Sequence, residues 1–219
     1  MGLSIFDLDN TLLGGDSDHA WGQFLVDKGA VDASLYQQAN DRFYQQYLDG
    51  SLNINAFLEF ALAPMAKYPK AQLDQWHRQF MDEVITPLRL PKADALLAKH
   101  RAQGDFLLII TATNEFVTEP IAHALGVDHL IATIPQFKNG AYTGKVEGTP
   151  TFQGGKVERL KQWLKTSGHT LDNSYFYSDS INDLPLLRVV EHPIAVDPDQ
   201  RLTEHAKQQG WPIISLRDA

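Results

Sequence analysis

An apolar run that breaks off into two aspartates sets the frame for this chain. Leu3, Ile5 and Phe6 start a buried strand, and Ile5 to Leu13 continues as Ile-Phe-Asp-Leu-Asp-Asn-Thr-Leu-Leu, so the strand ends at Asp7 and Asp9. In a parallel sheet, ligands bind beyond the carboxyl ends of the strands, in the crevice between the loops. Side chains two apart on an extended backbone point the same way, so Asp7 and Asp9 can converge on one small volume. Two like charges held that close need a cation or a shared proton. With oxygen ligands only, the natural cation is Mg2+, bound through a few carboxylates, water and substrate phosphate.

Composition narrows the setting. The chain has 219 residues, 43% hydrophobic and 21% charged, enough for one large domain or a core with an inserted subdomain. A net charge of −8 without a Lys/Arg cluster argues against nucleic acid or an anionic membrane as partner. There are no cysteines, which removes disulfides, thiolate zinc and a cysteine nucleophile. No stretch approaches the roughly 18 apolar residues of a membrane span, and the first residues carry no signal-peptide pattern. The expectation is a cytoplasmic protein, monomer or homodimer, whose partner is a small molecule.

After Leu13 the pattern turns helical. Trp21, Phe24 and Leu25 form one stripe; Leu35, Ala39 and Phe43 a second; Ile54, Phe57, Leu58, Ala61 and Leu62 a third; Leu73, Trp76, Phe80 and Val84 a fourth. A crossover needs only about a dozen residues, so residues 15–85 read as an inserted all-helical cap, and residues 1–14 and 86–219 as the core. The later chain alternates: helix 92–103, strand Phe106–Ile110, helix 115–125, strand 129–134, a tight turn at Asn139-Gly140, helix 155–166, strand Ser174–Ser178, a short helix 182–190, strand Pro193–Val196, helix 200–209 and strand Ile213–Ser215. Strand, helix, strand gives an α/β fold with a doubly wound, Rossmann-like parallel sheet.

Further polar groups fall at strand ends or helix starts. The hydroxyl of Thr111 and the backbone N–H groups beside it can donate to a phosphate oxygen. Lys156 follows Gln153-Gly-Gly155 at a helix start, an unfavourable place for a cation unless an anion is to be held there. Asp179 and Asp183, in Tyr177-Ser-Asp-Ser-Ile-Asn-Asp-Leu-Pro185, repeat the pattern of the first strand.

With Asp-x-Asp, Thr, Lys and Asp-x-x-x-Asp in that order, the chain resembles the haloacid dehalogenase superfamily of phosphohydrolases over its whole length. The resemblance is to the phosphoserine-phosphatase-like branch, and within it to histidinol-phosphate phosphatases. It implies Asp7 as nucleophile and Asp9 as general acid and base. It implies Thr111, Ala112, Lys156 and Asn182 at the phosphate or substrate, and Mg2+ held by Asp7, the backbone carbonyl of Asp9 and Asp179, with Asp183 behind them. Ser178 stands where the family often has glycine, and touches no proposed catalytic group on this reading.

Asp16 and Asp18, in the loop Gly14-Gly-Asp-Ser-Asp-His19, can face the leaving group. The resembling phosphoserine enzymes hold the substrate carboxylate with a cap arginine. Arg42 is the one candidate here, and the Arg-Val run expected after it is absent. The expected substrate is therefore an amino-alkyl phosphate without a carboxylate, histidinol phosphate before phosphoserine or a broad panel. His19, Trp21, Phe43, Tyr44 and Tyr47 could wall its imidazole, although Trp21 and Phe43 also lie on core stripes. Receiver domains, which carry a phosphoacceptor Asp, a Thr and a Lys around Mg2+, are the alternative of another class. The Asp two residues after the nucleophile and the helical segment speak against them.

Overall fold

The computed structural model describes residues 2–217. Met1, Asp218 and Ala219, which fall in the expected core segments, lie outside the described residues. The strands are β1 (Leu3–Phe6), β2 (Phe106–Asn114), β3 (His129–Lys138), β4 (Ala141–Glu147), β5 (Tyr175–Ser178), β6 (His192–Val196) and β7 (Ile213–Ile214). They form one sheet in the order β4-β3-β2-β1-β5-β6-β7. All pairings are parallel except β3 with β4, the hairpin turned at Asn139-Gly140. From β1 the chain steps to β2 on one side and later to β5 on the other. The carboxyl end of β1 is therefore the point where the winding reverses and a crevice opens.

Helices α1 (Ser17–Asp27), α2 (Ala33–Asp49), α3 (Ile54–Leu62) and α4 (Lys70–Phe80) separate β1 from β2. A π turn, Met81–Ile85, and the short α5 (Thr86–Leu88) follow α4. The sequence writes their starts: Asp16, Asp32 and Asn53 each accept a backbone N–H of the first turn. The chain leaves this segment beside where it began, since Leu13 pairs with Arg89 and the Gly14 N–H donates to Leu88 O at 2.8 Å. The remaining helices are α6 (Pro91–Ala102), α7 (Glu115–Leu125), α8 (Gly154–Ser167), α9 (Leu184–Leu187) and α10 (Gln200–Gln209).

Alternation along the central strands loads both faces of the sheet. Leu3, Ile5, Leu108, Ile110 and Phe176 pack with Leu160, Leu187 and Leu202 on one side. Phe6, Leu107 and Ile109 share the other with Trp21, Phe24, Leu62 and Phe80 of the helical segment. The first and last of the inserted helices are therefore continuous with the main core.

Three local expectations change. Leu35 is 70% exposed; Tyr36 makes the contact instead, stacking on Phe60 at 4.4 Å. β2 runs on to Asn114, so Thr111 and Thr113 are strand residues rather than loop residues. The helix expected over 182–190 is a 3-10 turn, Ile181–Asp183, followed by four residues of α9 with Pro185 in its first turn.

Candidate active site

The end of β1 places Asp7 and Asp9 on one side of the loop, as their spacing requires, and both are buried. Asn10 then turns the chain with φ +58°, a left-handed conformation that Asn tolerates better than most residues. Asp7 Oδ1 receives Lys156 Nζ at 2.7 Å. The same ammonium donates to Asp183 Oδ2 at 2.8 Å and lies 2.7 Å from Oδ1. Lys156 is 2% exposed, and a tight loop puts it there. Gln153 adopts φ +48°, and a Cβ at Gly155 would lie 2.0 Å from Pro150 O, so only glycine allows that approach. Burial works against the charge on Lys156, but Asp183 and Asp7 outweigh it and hold the amine's pKa above its ordinary value.

Asp9 is held from two directions. Ser17 N–H at the start of α1 donates to Oδ1 at 2.6 Å, and Thr113 Oγ1 donates to Oδ2 at 2.8 Å. With its carboxylate so engaged, Asp9 has its main-chain carbonyl left to offer a cation. Thr11 bridges to β5, its Oγ1 donating to Asp179 Oδ1 at 3.2 Å and accepting Asp179 N–H at 3.1 Å.

Four carboxylates, Asp7, Asp9, Asp179 and Asp183, thus gather at these strand ends, and one ammonium, that of Lys156, joins two of them, Asp7 and Asp183. Burial, together with the neighbouring acids, pushes Asp7 and Asp9 up to about 7. Burial likewise raises Asp179 well above the carboxylate range, with Asp7 and Asp183 adding to it. The excess of buried negative charge fits a hard divalent cation with oxygen ligands. Among the described residues no three His, Asp or Glu side chains converge as a metal cage. The set that fits is Asp7, Asp179 and the Asp9 carbonyl, completed by water or substrate, the sparse protein ligation Mg2+ commonly accepts.

Asp7, Asp9, Thr111, Ala112, Thr113, Asp16 and Asp18 line one cavity, which extends between α1, α2 and α3 past His19, Asn40, Phe43, Tyr44, Tyr47, Leu52, Ile54 and Phe57 to Phe152. Burial raises the pKa of Asp16 and, with Asp16 and Asp9 beside it, that of Asp18. Asp16 is also the cap of α1, accepting His19 N–H at 2.8 Å. Asn182 is not on the cavity wall. Its Nδ2 donates to Tyr47 O at 3.0 Å and its Oδ1 accepts Gln153 Nε2 at 3.2 Å, which ties the end of α2 to the sheet. Arg201 reinforces that tie by donating to Leu48 O and Asp49 O, each at 3.0 Å.

Of the aromatics that could wall the cavity, Trp21 takes the core place its helical stripe indicates: it is 3% exposed and packs among Phe24, His77, Phe80 and Phe116. Ser178 does touch the polar centre, because its Oγ donates to Asp183 Oδ2 at 2.7 Å. The sequence reading also missed Ser17, Asn40 and Thr113. For Thr113 a signal existed, since it lies two residues beyond Thr111 on the same strand and so shares its face.

This arrangement on this fold defines a class, and the chain belongs to the haloacid dehalogenase-like hydrolase family, whose model matches residues 5–188. It is a hydrolase of that family. A histidinol-phosphatase of Neisseria meningitidis serogroup C is 48% identical over 219 residues, 98% of this chain and 99% of that protein. A crystal structure of a Bordetella pertussis protein of unknown function superposes with a TM-score of 0.92 at 46% identity, covering 98% of both chains. A phosphoserine phosphatase solved as a phospho-aspartyl intermediate analogue has a TM-score of 0.72 at 19% identity, covering 99% of this chain and 93% of that one, a likeness of fold.

Proposed function

We propose that this protein is a Mg2+-dependent phosphomonoesterase that hydrolyses histidinol phosphate to histidinol through an aspartyl-phosphate on Asp7. The observation that carries the substrate is the charge of the cavity beyond the phosphate end: Asp16 and Asp18 line it, and among the described residues no Lys or Arg does. A substrate carboxylate would have no partner there, whereas an ammonium would have two. Arg42, the candidate clamp, is exposed, lies 5.1 Å from the ring centroid of Phe43 and is not among the residues that line the cavity. The 48% identical relative named for histidinol phosphate adds to this reading.

Asp7 Oδ2, which accepts no hydrogen bond from a described residue, attacks phosphorus, and the bond from phosphorus to the ester oxygen breaks. Asp9 gives its proton to the departing alkoxide. In the second half, water attacks the phosphorus of the acyl phosphate, Asp9 takes the water's proton, and the bond to Asp7 breaks to release inorganic phosphate. Lys156, the Thr111 hydroxyl and the adjacent backbone N–H groups hold phosphoryl oxygens. Mg2+ held by Asp7, Asp179 and the Asp9 carbonyl would supply the positive charge that lets an anionic ester approach an anionic nucleophile. A pH-7 site that keeps Asp9 protonated for the first half fits the upward shift of its pKa to about 7.

Phosphate release with Mg2+ from histidinol phosphate, phosphoserine, phosphothreonine and phosphoethanolamine tests the reading. Histidinol phosphate should lead phosphoserine and phosphothreonine in kcat/KM by at least about two orders of magnitude, since leaving Asp16 and Asp18 to face a carboxylate costs several kcal/mol. Asp7→Asn should form no phosphoenzyme. Equal rates on phosphoserine, or an active Asp7→Asn, would refute it.

A further inference from the structure

The middle of α2 buries a polar side chain. Asn40 is 6% exposed and, with Phe43, is one of only two buried residues of that helix. Its Nδ2 donates to the main-chain oxygen of His19 at 2.9 Å. The amide lies against Gly22 of α1: a Cβ there would meet Nδ2, Cγ and Oδ1 of Asn40 at 2.7 to 2.8 Å. Glycine at position 22 is therefore what lets the amide reach His19, and the bond to that carbonyl fixes which end of the amide is the donor. Reversing it would set two carbonyl oxygens against each other.

Oδ1 is left as the free end. It accepts no hydrogen bond from any described residue, yet Asn40 lines the cavity together with Phe43, Ile54 and Phe57. A fixed acceptor on a wall of apolar and aromatic side chains suits an N–H carried by a flat ring. An ammonium has better partners in Asp16 and Asp18 on the same cavity, so the neutral amide is not the amine's site.

We propose that Asn40 is a specificity-determining residue whose Oδ1 accepts a hydrogen bond from a ring N–H of the leaving alcohol, so that the enzyme selects phosphate monoesters whose alcohol carries an azole. This rests on the reading of the cavity as the pocket for an amino-alkyl phosphate. It adds a second determinant, one for the ring, to the acidic pair that serves the amine.

The test compares histidinol phosphate with phenylalaninol phosphate, which keeps the phosphate and amine and replaces the imidazole by phenyl. Wild-type enzyme should prefer the imidazole ester by roughly 100-fold in kcat/KM, the discrimination one buried hydrogen bond provides. Asn40→Leu should bring that ratio to within about threefold, and so should Asn40→Ala, which removes the acceptor without adding bulk. A wild-type ratio near one overturns the proposal even if neither variant folds, as does an Asn40→Leu enzyme that keeps the preference. Hydrolysis of both esters at equal rates would refute Asn40 alone, whereas hydrolysis of neither would refute the phosphatase reading beneath it.

Discussion

Thr113 Oγ1 donates to Asp9 Oδ2 at 2.8 Å, joining the second strand to the proposed acid and base across 104 residues of sequence. Together with Ser17 N–H it leaves the carboxyl one orientation. Thr113→Val keeps the shape and removes the donor. It should lower kcat on an alkyl phosphate by about tenfold to a hundredfold, part of the roughly 10²–10⁴-fold that a well-placed general acid–base group contributes. An aryl ester such as p-nitrophenyl phosphate, whose leaving group needs little protonation, should lose much less, and Thr113→Ser should restore the alkyl rate. Equal losses on both esters would mean that Thr113 does not act through Asp9.

Ser178 makes a related prediction one step further from the nucleophile. Its hydroxyl holds Asp183, Asp183 holds Lys156, and Lys156 holds Asp7. Ser178→Ala should cut kcat about 10- to 100-fold, the worth of one hydrogen bond to a charged group, with a smaller change in KM. A variant with wild-type kcat would show that Lys156 and the helix turn position Asp183 unaided.

The pH dependence of stability without metal has a definite sign. Burial raises Asp7 and Asp9 from 3.8 in the unfolded chain to about 7, so between those values the native state binds more protons than the unfolded one. Their contribution is complete below pH 4 and is lost as pH rises through 7. Melting temperatures in EDTA should therefore fall across this window relative to an Asp7→Asn variant. Added Mg2+ should raise the melting temperature more at pH 8 than at pH 6, because the cation competes with those protons. A Mg2+ effect independent of pH would count against these carboxylates as its ligands.

Trp21 tests whether the helical segment and the sheet share one core. Its ring lies 5.2 Å from that of Phe80 and 5.6 Å from that of Phe116, across the boundary between inserted helices and α7. Trp21→Ala should cost about 3–5 kcal/mol, the usual penalty for an emptied aromatic site, while urea unfolding stays a single transition. A first transition confined to the helical segment would show that it folds separately.

Much of this was legible in the sequence because it is local. Apolar runs ending in an acid or a threonine located the strand tips, glycine and Asx residues marked helix ends, and the rule that parallel strands present their carboxyl ends together put Asp7, Asp9, Thr111 and Asp179 at one edge of the sheet. The same local rules put Trp21 and Phe43 alike on core stripes and could not part them, since an aromatic on a helical stripe looks the same whether it faces a core or a cavity; only Phe43 lines the cavity. Only the tertiary structure decided what each polar group meets. That Thr113 reaches Asp9, that Lys156 joins Asp7 to Asp183, and that Asn40 lies on Gly22 are distances between separate segments of the chain. Packing of the helices on the sheet sets those distances, and no pattern within any one segment encodes them.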